Sequence, residues 1–452
     1  MVSKSGIWTA VLVVVFSSGV AARVIERVSV DSTGIEGNGE SSLPASERGV
    51  SADGRYVAFQ SDADNLVVDD DNGWSDVFVR DRAQNTTIRV SVDRAGGDAN
   101  GPSLRPSISA DGRYVAFESA ATDLVDGDLN FEWDVFVRDL DLGQTIRVSV
   151  STVGGDADND SSDPSISADG RYVAFVSYAQ DLVAQDWNFR SDIFVRDLQQ
   201  DETVMASVGW DGSGTDENSW AAVISADGRH AAFASAATNL VDDDGNGETD
   251  VFVRDLELDE TTRASVDQGG GDANARSRCP SISTDGRYVV FCSPATDLVI
   301  GDTNGVDDLF VRDVVAETTS RINLTSTGEQ TIGAGSWHPS ISGDGRFVAF
   351  LCDADNLVPE DNNGYSDVLI RDLGMGTTTL VSVDDAGNLG DEWSGNPSIS
   401  ADGRLVIFES TATNLVDDDT NGMMDVFIAR GPVVFFDSFE SGDTSAWSNT
   451  VP

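Results

Sequence analysis

Histidine, cysteine and lysine are scarce in this sequence, and each shortage narrows the chemistry that the chain can perform. Its 452 residues include two histidines, three cysteines and one lysine, Lys4. His230 and His338 are too few for a zinc site built from several histidines, and they disfavour a Ser-His-Asp triad. The nucleophile elbow Gly-x-Ser-x-Gly is also absent from the sequence. These shortages favour binding over catalysis, and they single out no catalytic residue.

Positive charge is equally rare. The chain has 28 basic and 78 acidic residues, which give a formal net charge of −50 at pH 7. A surface this acidic repels nucleic acid and anionic membranes, so binding to polyanions is excluded. The same surface suits divalent cations and cationic partners, although adaptation to high salt would give the same composition.

Long apolar stretches are confined to the first residues. Lys4 precedes an apolar run at residues 7–16 that is too short to cross a bilayer, and Val20-Ala21-Ala22 offers small residues for cleavage. Residues 1–22 are therefore predicted to be a signal peptide, with an uncleaved anchor as the alternative. We expect the mature protein to be soluble, not inserted in a membrane, and secreted or periplasmic.

Repetition dominates the rest of the chain. The tripeptide Asp-Gly-Arg recurs at spacings of 58, 58, 58, 58, 59 and 58 residues, at positions 53–55, 111–113, 169–171, 227–229, 285–287, 344–346 and 402–404. A fixed period of this length predicts a solenoid or a propeller.

Each unit contains four short segments rich in β-branched and aromatic residues, separated by turn residues. In the second unit they are residues 106–109, 114–119, 134–139 and 145–150. No window has a convincing helical period, so each unit predicts a four-stranded antiparallel sheet. One such sheet cannot bury both faces, whereas seven packed around an axis can. Residues 23–432 are therefore predicted to form an all-β, seven-bladed β-propeller, and residues 433–452 a C-terminal tail.

The two ends of the repeat array indicate how the ring closes. The seventh unit reaches its third segment at residues 425–429 and then lacks a fourth. The missing segment is found near the start of the chain, where residues 27–31 repeat residues 89–93 letter for letter. We expect this N-terminal strand to complete the seventh blade and remove the open edges. The alternative is that residues 433–436 form the outermost strand.

The pattern PSxSxDGRxVxF followed by DVFVRDL resembles the WD40-like (PD40) repeats of the TolB-type β-propellers, over residues 24–430. The resemblance implies a platform for protein interaction or ligand binding, often periplasmic or secreted. This chain departs from TolB in having seven units and in lacking the small α/β domain before the propeller. A role in the Tol–Pal envelope system is therefore not implied.

The loop between the second and third segments carries the most chemical content. Every unit has Asp, Asn and Asp at the third, fifth and ninth positions of this loop, and three units also have Asp at the first. Alternating oxygen donors of this kind can wrap Ca²⁺, whereas the alternative is that they only cap tight turns. The predicted calcium ligands are Asp126, Asp128, Asn130 and Asp134 in the second unit, Asp242, Asp244, Asn246 and Asp250 in the fourth, and Asp417, Asp419, Asn421 and Asp425 in the seventh.

The order of the strands places these loops and the interblade loops on one face of the disc. That face should be strongly acidic, and loops on a rigid scaffold are where binding usually resides. The sequence therefore predicts an exported, monomeric, non-enzymatic scaffold that binds a protein, peptide or glycan at its acidic face. The alternative is a carbohydrate- or peptide-active enzyme that uses carboxylates of the rim or the channel.

Two of the three cysteines flank one hairpin. With a two-residue turn at Asp285-Gly286, Cys279 and Cys292 would face each other, as a disulfide requires in an exported chain. With a three-residue turn and a bulge at Gly286 they would point to opposite faces. Cys352 stands where the other units have serine, which predicts a small buried residue.

Overall fold

The computed structural model describes residues 25–44, 48–184 and 186–430. These residues form 28 strands in seven four-stranded antiparallel sheets. The predicted signal peptide, residues 1–22, and the tail, residues 433–452, lie outside the described residues. Among the residues described, no helix is long and apolar enough to cross a membrane.

The first six blades each use four consecutive strands, and the seventh uses the last three strands together with the first. In chain order the strands are β1 (Ile25–Arg27), β2 (Ser41–Ser42), β3 (Tyr56–Ser61), β4 (Asp76–Asp81), β5 (Thr86–Arg89), β6 (Ser103–Ile108), β7 (Tyr114–Ser119), β8 (Asp134–Asp139), β9 (Gln144–Arg147), β10 (Ser161–Ile166), β11 (Tyr172–Ser177), β12 (Asp192–Asp197), β13 (Glu202–Met205), β14 (Ser219–Ile224), β15 (His230–Ser235), β16 (Asp250–Asp255), β17 (Glu260–Arg263), β18 (Arg278–Ile282), β19 (Tyr288–Ser293), β20 (Asp308–Asp313), β21 (Thr318–Arg321), β22 (Ser336–Ile341), β23 (Phe347–Cys352), β24 (Asp367–Asp372), β25 (Thr377–Leu380), β26 (Ser394–Ile399), β27 (Leu405–Ser410) and β28 (Asp425–Arg430).

The ring closes as predicted. The seventh sheet has the order β1-β28-β27-β26, and its outer pair aligns Ile25 with Ala429 and Arg27 with Phe427. Arg89 of the first blade has the same register, opposite Phe78. The N-terminal strand therefore supplies the fourth strand of the last blade, and the seven-bladed β-propeller is confirmed.

The core lies between neighbouring blades. Each blade except the sixth stacks two buried phenylalanines from its second and third strands, such as Phe117 and Phe136 with ring centroids 5.9 Å apart. The hydrophobic clusters combine residues of adjacent sheets, for example Val135 and Val137 of the second blade with Phe175 of the third. A blade thus buries its faces against its neighbours, as expected for a sheet that cannot do so alone.

The Asp-Gly-Arg turn joins each blade to the one before it. In the second blade, Asp111 accepts hydrogen bonds from Ser109 Oγ (2.6 Å) and from the Arg113 backbone N–H (3.0 Å). Gly112 has a φ of 75°, and a Cβ there would lie 2.1 Å from the Tyr56 ring of the first blade. The repeated glycine is therefore required both by the backbone conformation and by the close approach.

Two strand boundaries differ from the sequence prediction. The fourth strand of the second blade is β9 (Gln144–Arg147) and ends before Ser149, whose Oγ donates a hydrogen bond to Asp134 Oδ1 at 2.5 Å. The first strand, β6, begins at Ser103 because a β-bulge between Leu104 and Ser107 lets the pairing continue past Pro106.

Candidate binding site at the acidic face

An arginine lies between the carboxylates of the loops for which calcium was predicted. In the second blade, Arg147 Nη1 lies 3.7 Å from Asp128 Oδ1, 3.5 Å from Asp134 Oδ2 and 2.5 Å from Asp156 Oδ1. The arginine comes from the end of the fourth strand and is almost buried, as are Asp128 and Asp134. We call this arrangement the arginine clamp.

The fourth and seventh blades have the same clamp. Arg263 Nη1 lies 3.4 Å from Asp244 Oδ1 and 2.6 Å from Asp272 Oδ1. Burial raises the pKa of Asp244 to about 6, and the nearby arginine opposes that rise. In the seventh blade Arg27, from the closing strand β1, contacts Asp419 at 3.4 Å. Equivalent clamps use Arg89 in the first blade and Arg321 in the fifth.

The other predicted calcium ligands serve the turn itself. Asn246 Nδ2 donates to Asp250 Oδ2 at 3.3 Å, while Asn246 Oδ1 accepts a hydrogen bond from the Glu248 backbone N–H at 2.8 Å. The equivalent amides also donate to the ninth-position carboxylates, Asn130 to Asp134 at 3.5 Å and Asn421 to Asp425 at 3.2 Å. These contacts are the ones expected of Asx turns.

The first-position carboxylates are not buried, unlike the third- and ninth-position carboxylates of the same loops. Asp126, Asp242 and Asp417 are exposed, and Asp126 pairs with Arg94. Among the described residues, no three acidic, histidine or cysteine side chains are grouped so as to hold a metal ion. The residues of these three loops fit a guanidinium group better than a calcium ion, and calcium in them stays a prediction. The role of this arginine was not predicted from the sequence, although an arginine recurs at the end of the fourth strand in five of the seven units.

A second cluster surrounds the axis at the same face. In six blades the bulge of the first strand holds a non-glycine residue with φ between 46° and 56°: Arg105, Asp163, Ala221, Cys279, His338 and Asn396. The residue just before the bulge also varies between blades, whereas the Pro-Ser-Ile that follows is kept in five of the six. The six bulge residues themselves are all different. We call this set the mouth ring. It lies near the start of the first strand, so it is on the side of the acidic loops.

The second strands hold the mouth ring in place. The Arg105 backbone N–H donates to Gln60 Oε1 of the preceding blade at 2.8 Å, and that of Asp163 donates to Glu118 Oε2 at 2.9 Å. In the seventh blade Asn396 Nδ2 donates to Glu409 Oε1 at 2.6 Å. Non-glycine residues in this strained region concentrate at functional sites.

Titratable groups around the mouth ring are strongly perturbed. Burial raises the pKa of both Glu118 and Glu409 to about 7. Burial lowers the pKa of His338, although a hydrogen bond with Asn396 opposes that effect. Perturbed groups in a concave site are candidates for function.

Two cysteines meet at the mouth. Both are free thiols in the structure, and a hydrogen bond between their side chains lowers the pKa of Cys279, while burial raises that of Cys292. The bulge lies at Cys279 itself, between Arg278 and Ser281, so of the two turns that the sequence left open the one with a bulge at Gly286 is wrong. Cys352 is buried as predicted, and it accepts a hydrogen bond from Ser336 Oγ at 3.2 Å.

The mouth ring borders a cavity of about 200 Å³, lined in part by Trp220, Pro280 and His338. Several buried polar atoms near the mouth ring have no hydrogen-bond partner of standard geometry among the described residues, namely Arg278 Nε, Asp307 Oδ1, His338 Nδ1 and Asn396 Oδ1. Buried polar groups are normally satisfied, so these atoms are available to a ligand.

The opposite end of the axis is tied by backbone hydrogen bonds between blades. Ala52 N–H donates to Ala110 O at 2.9 Å, and Ala110 and Ala168 continue the series at 3.0 Å each. Between the sixth and seventh blades, Gly343 N–H donates to Ala401 O at 2.9 Å. The first strands are therefore drawn together at the Asp-Gly-Arg face.

Comparisons with known proteins agree on the fold. No protein-family model matches the sequence, and no curated protein matches it significantly. The structure is similar to oligogalacturonate lyase from Vibrio parahaemolyticus, with TM-score 0.54 and 12% identity over 91% of this chain and 98% of the lyase. It is also similar to the β-propeller domain of the Trilobed protease from Pyrococcus furiosus, with TM-score 0.51 and 11% identity over 86% of this chain and 95% of that domain.

The protease domain has an open velcro topology, whereas β1 closes the ring here. TolB from Acinetobacter baumannii is a further match, with TM-score 0.37 and 15% identity over 84% of this chain and 81% of TolB. At identities this low, the similarity to the lyase and to the protease domain shows the fold alone and leaves activity open. The chain is a seven-bladed β-propeller, the fold expected from its resemblance to the TolB-type repeats.

Proposed function

We propose that this protein is an exported binding scaffold that receives a polar segment of a protein, peptide or glycan partner at the mouth of its axis, on the acidic face. The partner is not a nucleic acid, because the net charge of −50 would repel it. The scaffold acts as a monomer in this proposal, since every blade has its four strands and none needs a strand from another chain.

The observation that carries the proposal is the chemical divergence of the mouth ring. Positions that the fold fixes keep the same residue in every unit, as the Asp-Gly-Arg turn does. Instead, the ring presents a cation at Arg105, an anion at Asp163, a thiol at Cys279, an imidazole at His338 and an amide at Asn396. A ring of different groups around a concave site can recognise one asymmetric ligand, which is what specific binding needs.

The electrostatics of the mouth supports a ligand with hydrogen-bonding groups of both kinds. Arg105 forms an ion pair with Asp163 and lies 3.4 Å from Glu118, so its charge is already balanced. Apart from the contact between these two side chains, His338 Nδ1 and Asn396 Oδ1 have no described hydrogen-bond partner. A partner that supplies amide or hydroxyl groups would satisfy these atoms, and peptides and glycans both do so.

The test is a peptide and glycan array probed with the purified protein and with paired variants. We expect His338→Ala and Asn396→Ala to weaken binding of the selected ligand at least tenfold. Arg404→Ala is the matched control, because Arg404 is exposed on the Asp-Gly-Arg turn of the opposite face. It should bind as the wild type does. Unchanged binding by both mouth variants, with folding verified, would contradict the proposal.

An enzyme that uses carboxylates of the mouth is the second candidate. It is favoured by the position of Glu118 and Glu409, two buried carboxyl groups that titrate near neutral pH beside the mouth ring. In this case the array ligands would be cleaved, and Glu118→Gln or Glu409→Gln would abolish turnover while leaving binding intact. Binding without turnover by the wild type would leave the scaffold as the function.

A further inference from the structure

Two of the seven blades lack the arginine of the clamp. Met205 in the third blade and Leu380 in the sixth stand at the register position that Arg263 holds in the fourth, opposite the third strand. Five loops therefore have a guanidinium group between their carboxylates, and two have an apolar side chain at the same position. The two loops without the arginine can therefore be compared directly with the five that have it.

The carboxylates of the third blade remain in place without the arginine. Asp186 is 1% exposed, and neither of its oxygens accepts a hydrogen bond of standard geometry from a described residue. Asp192 is fully buried and accepts hydrogen bonds from Ser207 Oγ at 2.7 Å and Thr215 Oγ1 at 2.8 Å. Asp192 is therefore held in position, while Asp186 has lost the partner that its equivalents have.

The sixth blade repeats the arrangement. Asp361 is 5% exposed and its Oδ1 has no hydrogen-bond partner among the described residues, while Asp367 is fully buried and accepts a hydrogen bond from Ser382 Oγ at 2.5 Å. The pKa of Asp186 is raised to about 6 and that of Asp361 to about 7. Burial is the larger cause in both cases, and the charge of the neighbouring carboxylate, Asp192 or Asp367, is the second.

The third partner of the clamp arginine is missing from the same two blades. It is an acid in four clamped blades (Glu36, Asp98, Asp156 and Asp272) and Gln330 in the fifth, whereas the equivalent position is Gly214 in the third blade and Leu389 in the sixth. The third and sixth blades thus lack this third acid and keep the two loop carboxylates. Two buried carboxylates close together and without a cationic side chain are costly, so something must compensate them.

We infer that a divalent cation such as Ca²⁺ binds between Asp186 and Asp192 in the third blade, and between Asp361 and Asp367 in the sixth, in place of the arginine of the other blades. The donors are carboxylate oxygens, which hard cations prefer. These are not the loops for which calcium was predicted from sequence. The inference is independent of the function proposed for the mouth.

The alternative is that one carboxyl group of each pair is protonated. A proton would satisfy the pair without any metal, so the purified protein would bind no divalent cation at these loops. The two cases are separated by calorimetric titration of Ca²⁺ into metal-stripped protein at pH 7.5, together with thermal melting.

We expect two sites per chain and a melting temperature that rises with Ca²⁺. Met205→Arg and Leu380→Arg should each remove one site, and the double variant should remove both. Because the third acid is also missing, Met205→Arg/Gly214→Asp rebuilds the complete clamp of the fourth blade and guards against poor folding of the single variant. Arg263→Met provides the converse test, since it should create a third site between Asp244 and Asp250.

Absence of Ca²⁺ binding to the wild type would overturn the inference and leave the protonated pair. Two sites that persist in the double variant would also overturn it, since binding would then belong to the exposed acidic loops. Loss of mouth-ligand binding in His338→Ala with both Ca²⁺ sites intact would show that ligand binding at the mouth and Ca²⁺ binding in the loops are independent.

Discussion

Replacing Arg263 by methionine should destabilise the protein by about 3–5 kcal/mol, the range for removing one partner from a buried ion pair. The Arg263 side chain is 5% exposed, and its Nη1 contacts Asp244, Asp250 and Asp272 at 3.4, 3.9 and 2.6 Å. The substitution copies the residue found naturally at position 205. It keeps an unbranched side chain of similar length, so the loss comes mainly from carboxylates left without a cation.

The measurement is equilibrium unfolding in urea at pH 7.5 in the presence of EDTA. For a loss of this size the midpoint should fall by on the order of 1 M urea. Arg404→Met is the matched control, because Arg404 is 75% exposed and its ion pair with Asp402 lies at the surface. That control should change the free energy of unfolding by less than about 1 kcal/mol.

The same unfolding measurement repeated with Ca²⁺ tests whether a cation can take the place of the arginine. If a divalent cation can replace the guanidinium group, Ca²⁺ should restore much of the stability that Arg263→Met loses and should do nothing for Arg404→Met. Equal midpoints for Arg263→Met and the control in EDTA would refute the view that the clamp neutralises the buried carboxylates of these loops.

Three other outcomes are expected. The free energy of unfolding should fall as pH rises from about 4 to about 7. Burial raises the folded pKa values of loop carboxylates such as Asp134 to about 6, so in this pH range the folded state binds more protons than the unfolded chain. Urea midpoints that rise steadily to pH 8 would contradict this. Gly112→Ala should cost more than Gly127→Ala, since both glycines have positive φ but only Gly112 has a neighbouring ring within 4 Å of the added Cβ, and thermal melting of the two variants compares them directly. One thiol should react rapidly with a disulfide reagent in the native protein, because Cys279 is partly exposed with a lowered pKa while the other two cysteines are buried, and Cys279→Ser should abolish that fast phase.

The sequence was informative wherever the seven units agree. The second and third strands of the second blade have the predicted bounds, and the closing strand was identified because residues 27–31 copy residues 89–93. Agreement among repeats reports the demands of the fold, such as the glycine that must approach a ring of the preceding blade. For these features a pattern of residue types was sufficient.

Features that depend on contacts between elements were harder to predict. The bulge at Arg105 carries no glycine, and Pro106 after it indicates the start of a strand as readily as a bulge, so the extension of the first strand was not foreseen. The clamp was missed because the loop was read alone, whereas Arg147 reaches it from the end of the fourth strand. The mouth ring could have been predicted from an alignment of the seven units, because its position carries a different residue in each of the six blades that have the bulge.

The central claim is that a ligand binds at the mouth ring on the acidic face, and hydrogen exchange with the ligand selected from the array tests it most directly. Protection should increase in the first strands around the bulges, such as residues 103–107 and 336–340, and in the adjoining interblade loops. The Asp-Gly-Arg turns at the opposite face should exchange as in the free protein. Protection confined to those turns, with none around the bulges, would contradict the account.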